Sequence, residues 1–461
     1  MDSSQQTMQL AMDLHQQGRL EEAGALYRKV LDQHPGHFGA NHLTGLALLQ
    51  RGQAREAEPW LSRAVQINPG VAEAHANHGN ALAAIGLGEA SLASYQQALA
   101  LQPSNPRWHF SLGNSLQELA RLDEAEAAFN RAIELDPGYD NAFVNRGVLR
   151  LLRGDFQRGL PDYERRRPRD PARRMLAGLA TPDWNGEDLA GRSLLVSDAT
   201  GLGDVIQFCR YLPMLADRGA RVSFLGNKRL VGLLQSLDPR IELLAELAGN
   251  RQFDFHCKLL SLPLLCATDG DSIPSRPAYL HARPELVHRW RERIGGHGFR
   301  IGVCWRGNPS HSIDAGRAIP LAGLEEIAAL PGVRLISLQK RFGLEELASL
   351  PSGMIVETLG EDFDEGPDAF LDSAAAIATL DLVICSCTSV AHLAGSLGAP
   401  TWVALKRVPE WRWQLDRPDN PWYPSHRLFR QPEPGDWASV FSAMTLAMRD
   451  ELAAWPGRRN C

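Results

Sequence analysis

The first 172 residues repeat one pattern of apolar and polar positions with a period of 34. A proline closes each unit, at 35, 69, 103, 137 and 171, in stretches such as "AVQINPG" and "AIELDPG". Small residues recur where paired helices would cross, and a large residue follows one turn later; these are Ala23, Ala57, Ser91 and Ala125, then Tyr27, Leu61, Tyr95 and Phe129. This period predicts paired helices that bury their apolar faces by stacking into a solenoid.

The pattern resembles the tetratricopeptide repeat, and the resemblance implies an all-α solenoid of about five repeats over residues 1–172. Its groove would bind an extended peptide or another protein, while a role as a spacer or an oligomer contact stays open. The fifth unit, "GLPDYERRRPRDPARR", keeps Tyr163 and Pro171 but carries arginines at 165, 166, 167 and 169. We expect this charged stretch to be a solvated cap of the solenoid rather than a patch for acidic ligands.

From Arg192 onward, short β-branched runs alternate with helical segments. The predicted strands are "SLLVSD", "RVSFLG", "IELLAE" and "FDFHC", followed by "FRIGVCW", "VRLISLQ", "GMIVET", "LDLVICSC" and "PTWVAL". Such alternation is typical of parallel sheets covered by helices. We therefore expect a linker at 173–190 and two facing Rossmann-like halves, 191–288 and 289–435, with ligands bound beyond the strands' carboxyl ends.

Composition narrows the function classes. A formal net charge of -6 over 461 residues argues against a general nucleic-acid binder. The seven cysteines are scattered except for Cys385 and Cys387, whose spacing does not match the usual zinc sets, so we expect no metal and a reducing cytoplasm. The first residues lack the basic start and apolar core of a signal peptide, and no apolar run is long enough to span a bilayer.

The loop "VSDATGLGDVIQFCRYLP" follows the first predicted strand. Gly201 and Gly203 let the backbone approach an anion closely, and a helix beginning near Asp204 offers free amides. A dinucleotide fingerprint is not expected, because Ile206 stands where its third glycine would be. The loop therefore holds a phosphate, presents Asp204 to a substrate, or merely connects a strand to a helix.

A second helix start lies in "LVICSCTSVAHLAGSLGAP". Thr388 and Ser389 are predicted to cap this helix and to leave its first amides aimed at a diphosphate, while His392 faces either the phosphate or the interior. A departing diphosphate also needs cations to stabilise its charge. Two candidate cations, Arg306 and Lys340, follow predicted strands, and a third, Arg317, lies in a loop before a helix. The amide side chain of Asn308 lies close to Arg306 in the sequence.

These stretches, with "IGVCWRGNPSH" and the tryptophan-rich "EWRWQLDRPDNPWYPSHRLFRQPEPGDW", resemble bacterial proteins in which tetratricopeptide repeats precede a heptosyltransferase-like family 9 glycosyltransferase domain. The resemblance implies a GT-B fold with a nucleotide-sugar co-substrate and neither metal nor other cofactor. It also implies that the terminal helix, within 436–461, crosses back to the first half.

By that resemblance, Asp204 is the general base, and Thr388, Ser389 and His392 form the diphosphate-binding turn. Gly201, Gly203, Asn308, Arg306 and Lys340 would then contact the donor, and Arg317, Cys387 and Trp411 are further pocket candidates. Trp411 and its neighbour Trp413 either wall the donor pocket or pack in a core.

Two positions depart from the family pattern. Ala199 and Thr200 stand where an acid and an amide often precede Gly-Leu-Gly-Asp, and Cys387 replaces an aspartate in the second turn. Loss of carboxylates is compatible with a changed donor, such as a CMP-linked acidic sugar, and equally with impaired catalysis. Both interpretations stay open.

The expected function is that of a cytoplasmic protein O-glycosyltransferase. Repeats fused to such a domain resemble flagellin glycosyltransferases, in which the solenoid recruits a protein and the GT-B domain modifies Ser or Thr by inverting transfer. The alternatives are a transferase acting on lipopolysaccharide or another glycan, and a catalytically degenerate scaffold or secretion chaperone.

Overall fold

The computed structural model describes residues 3–166, 181–247, 251–309 and 316–455. Its contacts divide the chain into two compact units, Met1–Leu149 and Arg150–Cys461. The helices of the repeat region are α1 Ser3–Gln16, α2 Leu20–Gln33, α3 Phe38–Gln50, α4 Ala54–Ile67, α5 Ala72–Ala84, α6 Gly88–Leu101, α7 Pro106–Glu118, α8 Leu122–Leu135, α9 Asp140–Leu152 and α10 Phe156–Glu164.

From α1 to α8, each helix packs against the next along the chain, as the 34-residue period predicts. The four small crossing residues are fully buried, and so is the large residue one turn after each of them. The crossing is close: a methyl group on Gly113 would come within 2.6 Å of the Phe129 ring. Small residues are therefore required where the two helices of a repeat meet.

The turns between paired helices have the same backbone in every described repeat. Gly18, Gly52, Gly86 and Gly154 all have φ between 76° and 83°, a left-handed conformation that glycine adopts without strain. Ala120 occupies the equivalent place and has φ 60°, although an L side chain disfavours it. The repeat geometry thus overrides the local preference of the residue.

Helix α10, the last described helix of the repeat pattern, belongs to the C-terminal unit. Phe156 is 2% exposed and lies 6.4 Å from the Trp411 ring and 6.2 Å from Trp422, and Tyr163 lies 5.9 Å from Trp411. The expectation of a solvated cap is therefore wrong for this helix, because one face packs on an aromatic cluster. Arg167 and Arg169 lie outside the described residues.

The C-terminal unit contains two parallel sheets. Its strands are β1 Ser193–Ser197, β2 Arg221–Leu225, β3 Glu242–Leu244, β4 Phe255–Lys258, β5 Phe299–Cys304, β6 Val333–Ser337, β7 Val356–Thr358, β8 Leu382–Ser386, β9 Thr401–Leu405 and β10 His426–Arg430. The first sheet has the order β3-β2-β1-β4, and the second has the order β10-β9-β8-β5-β6-β7. All nine predicted strands are present; β1 to β4 form the first sheet and β5 to β10 form the second.

Helices and short 3-10 turns connect the strands. The helices are α11 Leu202–Phe208, α12 Tyr211–Asp217, α13 Val231–Leu234, α14 Leu262–Leu265, α15 Pro284–Ile294, α16 Glu325–Ala328, α17 Leu371–Ile377, α18 Ser389–Ser396 and α19 Trp437–Ala454. Within the described ranges, none of the helices is long and apolar enough to cross a membrane.

Helix α19 corrects one expectation. Instead of crossing back to the first half, it inserts Phe441, Met444 and Met448 into the core of the second sheet, among residues such as Ile301 and Leu324. The strand β10 next to β9, which the sequence did not predict, extends this sheet, and α19 contacts it. The helix therefore covers the half in which it begins.

The segment expected to be a linker is partly built into the first sheet. The His256 carbonyl of β4 accepts a hydrogen bond from the Trp184 amide (2.8 Å), and the His256 amide donates to Pro182 (2.9 Å). Trp184 and Leu189 are each 2% exposed. Residues 181–190 are thus part of the folded α/β unit, and 173–180 lie outside the described residues.

Candidate functional site

The candidate residues follow the strands at which each sheet reverses its order. In the first sheet, the chain runs from β1 to β2 on one side and returns to β4 on the other; in the second, β5 and β8 flank the corresponding reversal. Such reversals open a crevice beyond the carboxyl ends of the strands, where ligands bind in α/β proteins. Arg306 and Thr388 lie in the loops after β5 and β8, and Asp204 lies in the first turn of α11, directly after the loop that follows β1.

These loops enclose a cleft of about 620 Å³. Eleven of the twelve residues predicted for the site line it: Gly201, Gly203, Asp204, Arg306, Asn308, Arg317, Lys340, Cys387, Thr388, Ser389 and His392. Among the described residues, six basic side chains and three acidic ones line the cleft. The structure therefore gathers residues from both halves into one site with an excess of positive charge.

The two helix starts meet at the cleft. A methyl group on Gly203, in the first turn of α11, would lie 3.0 Å from His392 and 3.3 Å from Ser389 Oγ at the start of α18. A side chain here would force His392 and Ser389 to shift by a few tenths of an ångström, so the second glycine of Gly-Leu-Gly-Asp has a packing role as well. The positive ends of both helices consequently face the same space.

Thr388 occupies the N-cap position of α18, but its side chain does not cap the helix as predicted. Its Oγ1 instead lies 3.7 Å from Cys304 Sγ. Among the described residues, the Thr388 side chain accepts no hydrogen bond from the first backbone amides of α18. The first amides of a helix have no intrahelical acceptor. The amides of Ser389 and Val390, both residues that line the cleft, are therefore suited to an anionic ligand.

His392 is both buried and part of the cleft lining. Its Nδ1 lies 3.0 Å from the Tyr423 hydroxyl, and its ring stacks on Trp413 at 5.3 Å. Burial, followed by nearby Arg412, holds the pKa of His392 well below its usual value. The imidazole is thus neutral near pH 7 and contributes a hydrogen bond rather than a charge.

A second histidine below the cleft makes stability depend on pH. His426 is buried, donates from Nε2 to the Ala391 carbonyl (3.0 Å), and has a pKa that burial lowers from 6.5 to about 3. The unfolded chain protonates first, so stability falls as the pH drops from 6.5 towards 3, by about 1.4 kcal/mol per pH unit. In urea unfolding between pH 7.5 and 5, we expect a shallower pH dependence for His426→Gln than for the wild type.

The matched control is His288→Gln, since His288 has a side chain that is 73% exposed. This control should keep the wild-type slope. Equal slopes for the wild type and His426→Gln would contradict the assignment of this pH dependence to His426.

Asp204 belongs to a charged triad that joins the two halves. Its Oδ1 accepts a hydrogen bond from Arg412 Nη2 (2.6 Å), and Nη1 of the same guanidinium is paired with Glu410. Arg412 has an 8% exposed side chain and lies over the rings of Phe208 and Trp411, at 5.1 and 4.8 Å. Burial raises the pKa of Glu410, and the Arg412 charge opposes this rise.

Two of the predicted cations are engaged by acids. Arg306 pairs with Glu345 (3.2 Å) and Glu346 (3.5 Å), while Lys340 pairs with Glu365 (2.7 Å). All three carboxylates lie outside the cleft lining. These partly exposed pairs are open to solvent on at least one side and are therefore weak, so an anionic ligand in the cleft competes for the same cations.

Trp411 does not line the cleft. It is 2% exposed and packs in the aromatic cluster with Phe208 and Trp422, so the core alternative holds for this residue. Trp413 is also fully buried, and its Nε1–H donates to Cys387 Sγ (2.9 Å). Cys387, which lines the cleft, is thus held in place by a tryptophan beneath it.

An acid stabilises the loop before Gly201, but it is Asp198 and not position 199, where the family pattern has its acid. Asp198 is 3% exposed, and its carboxylate accepts hydrogen bonds from the Thr200 amide (2.9 Å) and hydroxyl (2.8 Å). The side chain of Thr200 therefore stabilises the turn that presents Asp204. The loop thus still contains a carboxylate, and this carboxylate forms its hydrogen bonds within the turn, to Thr200.

Several cleft residues were missed by sequence reasoning. They are Asn227, Arg229, Gln339, Glu410 and Arg412. Gln339 had a signal, because it follows β6 at the edge where ligands bind; its Oε1 accepts the amides of Trp305 (3.1 Å) and Arg306 (3.2 Å). In the described part of the chain, no group of three or more His, Cys, Asp or Glu side chains is arranged to hold a metal ion.

Comparisons with known proteins agree with the repeat assignment. Models of the tetratricopeptide repeat match residues 14–85, 76–140 and 112–174. Protein FlbA of Caulobacter vibrioides is 29% identical over 336 residues, which cover 67% of this chain and 55% of FlbA. The chain thus spans about half the length of this relative.

Solved structures are similar to about a third of the chain. A crystal structure of MamA is 22% identical, with a TM-score of 0.32, and covers 34% of this chain and 91% of MamA. YrrB, described as a TPR protein with an unusual peptide-binding site, is 24% identical with a TM-score of 0.32 and covers 34% of this chain and 82% of YrrB.

Proposed function

We propose that this protein is a GT-B glycosyltransferase that moves a sugar from a nucleotide-sugar donor to a Ser or Thr of a protein recruited by its repeats, with flagellin as the expected acceptor. The observation that carries the proposal is the cleft in which Asp204 lies beside two uncapped helix starts and an excess of cations. A carboxylate and an anion site within one crevice are what an inverting transfer requires.

The proposed step uses residues from both halves. The acceptor oxygen attacks the anomeric carbon and gives its proton to Asp204, while the bond from that carbon to the phosphate oxygen breaks and its electron pair leaves with the nucleotide. Amides of Ser389 and Val390, together with Arg306 and Lys340, would stabilise the negative charge on the departing phosphate. No metal is needed for this step.

The charge of the cleft favours an acidic donor. Cys387 presents a neutral sulfur where the related transferases usually carry an aspartate, and burial raises the pKa of this thiol. With six basic and three acidic side chains around it, a ligand with a carboxylate in addition to its phosphate would be attracted. A CMP-linked acidic sugar is therefore the donor class that we propose.

Thermal-shift screening tests donor binding directly. We expect a matching nucleotide sugar to stabilise the full chain by about 2.7 kcal/mol at a hundredfold excess over Kd. The double variant Arg306→Gln, Lys340→Gln should lose most of this stabilisation, because both cations line the cleft. Arg449→Gln, on the exposed side of α19, is the control for loss of charge and should respond like the wild type.

The same proteins test transfer. Incubation with the stabilising donor and flagellin should increase the acceptor mass by one or more sugar residues. Transfer to a glycan but not to protein would support the alternative acceptor. Absence of stabilisation by every nucleotide and nucleotide sugar would overturn the transferase proposal and favour a scaffold or secretion chaperone.

A further inference from the structure

The charged triad of Asp204, Arg412 and Glu410 contains two residues besides the proposed base, Asp204. Asp204 comes from the first half of the α/β unit, whereas Arg412 and Glu410 come from the second, and all three line the cleft. Asp204 has a side chain that is 29% exposed, and the Arg412 side chain is 8% exposed. The carboxylate thus faces the cleft while its partner is buried.

Arg412 is fixed from several sides. Glu410 binds its guanidinium and also accepts its backbone amide (3.1 Å), so one carboxylate orients both the side chain and the 3-10 turn Trp411–Trp413. Asn420 donates to the Arg412 carbonyl (3.1 Å), and aromatic rings lie against the guanidinium plane. A guanidinium held in this way fixes the position of the carboxylate oxygen that it binds.

We propose that Arg412 and Glu410 are positioning residues that orient Asp204 for proton transfer from the acceptor hydroxyl. Arg412 holds Oδ1, which leaves Oδ2 to face that hydroxyl. Glu410 in turn holds both the guanidinium and the backbone amide of Arg412 in place. This inference rests on the proposed function, because it assigns residues to the same reaction.

The test is the rate of sugar transfer by the full chain, measured over a range of donor concentrations. For Arg412→Gln, we expect a lower kcat with little change in donor KM, because Asp204 loses its orientation while the donor contacts remain. For Glu410→Gln, which keeps an acceptor for the Arg412 amide, we expect a smaller loss of kcat in the same sense. Arg412→Lys should recover only part of the lost kcat, because an ammonium group cannot hold two carboxylates in the fixed geometry of a planar guanidinium.

Arg427→Gln, an exposed arginine on β10, is the control for loss of one positive charge and should keep the wild-type kcat and donor KM. An unchanged kcat in Arg412→Gln, or a rise in donor KM with kcat unchanged, would overturn the inference while leaving the transferase proposal intact. Should the wild type transfer no sugar at all, the proposed function fails instead.

The energetic coupling between Asp204 and Arg412 can also be measured without any transfer activity. In thermal unfolding at pH 7, Asp204→Asn, Arg412→Gln and the double variant form a cycle. Strongly non-additive shifts in Tm are expected, because each single change leaves its partner buried or unpaired. Additive shifts would show that Asp204 and Arg412 are not energetically coupled and would overturn the positioning role.

Discussion

Asp204→Asn is expected to slow sugar transfer by about 10²–10⁴-fold, the range contributed by a positioned general base. Asparagine has nearly the same shape but cannot accept the proton of the acceptor hydroxyl. Donor binding should persist, since the helix starts and the cations remain. The rate is read from the mass increase of the acceptor, and donor binding from the thermal shift of the same variant.

Asp217→Asn is the matched control, because Asp217 is 49% exposed on α12 and pairs with Arg240 (2.8 Å) as Asp204 pairs with Arg412. This control should transfer sugar at the wild-type rate. Undiminished transfer by Asp204→Asn would remove Asp204 from the role of base, and loss of donor binding would indicate a damaged site instead.

Phe156→Ala is expected to lower the free energy of unfolding of the α/β unit by about 3–5 kcal/mol, as is usual when a buried ring is removed from a packed core. Phe156 is 2% exposed and anchors α10 on Trp411 and Trp422. Urea unfolding followed by tryptophan fluorescence reports on this unit, since only Trp60 and Trp108 of the eleven tryptophans precede residue 150.

Phe342→Ala provides the comparison, because Phe342 is 39% exposed. Its effect should stay within about 0.5 kcal/mol, the usual range for a surface position. An equally small effect for Phe156→Ala would mean that α10 contributes no packing energy to the unit, contrary to its observed contacts.

The strands were predictable where they are buried on both faces, as in β8, whose five residues are all buried. Such strands produce continuous apolar runs that periodicity detects. Strand β10, "HRLFR", was missed because it lies at the edge of its sheet and carries one histidine and two arginines. The packing of α19 could not be predicted either, since an apolar helix face does not specify the sheet that it covers.

The site was predictable as far as it follows strand ends. Gly201, Asp204 and Thr388 were found from local sequence because a parallel sheet brings the carboxyl ends of its strands to one edge. Arg412 lies 208 positions from Asp204, and the tryptophan-rich stretch around it does not indicate this partner, so the ion pair between them needed coordinates. The same holds for Trp411, whose burial depends on α10 as well as on its own neighbours.

The docking of α10 has a practical consequence for dissecting the protein. The sequence places the start of the first Rossmann-like half at residue 191. A fragment that begins there would omit Phe156 and Tyr163 and would expose the indole ring of Trp411, which these two residues contact. Uncovered aromatic surface promotes self-association, so such a fragment would be prone to precipitate. Soluble expression of the α/β unit therefore calls for a start that retains α10.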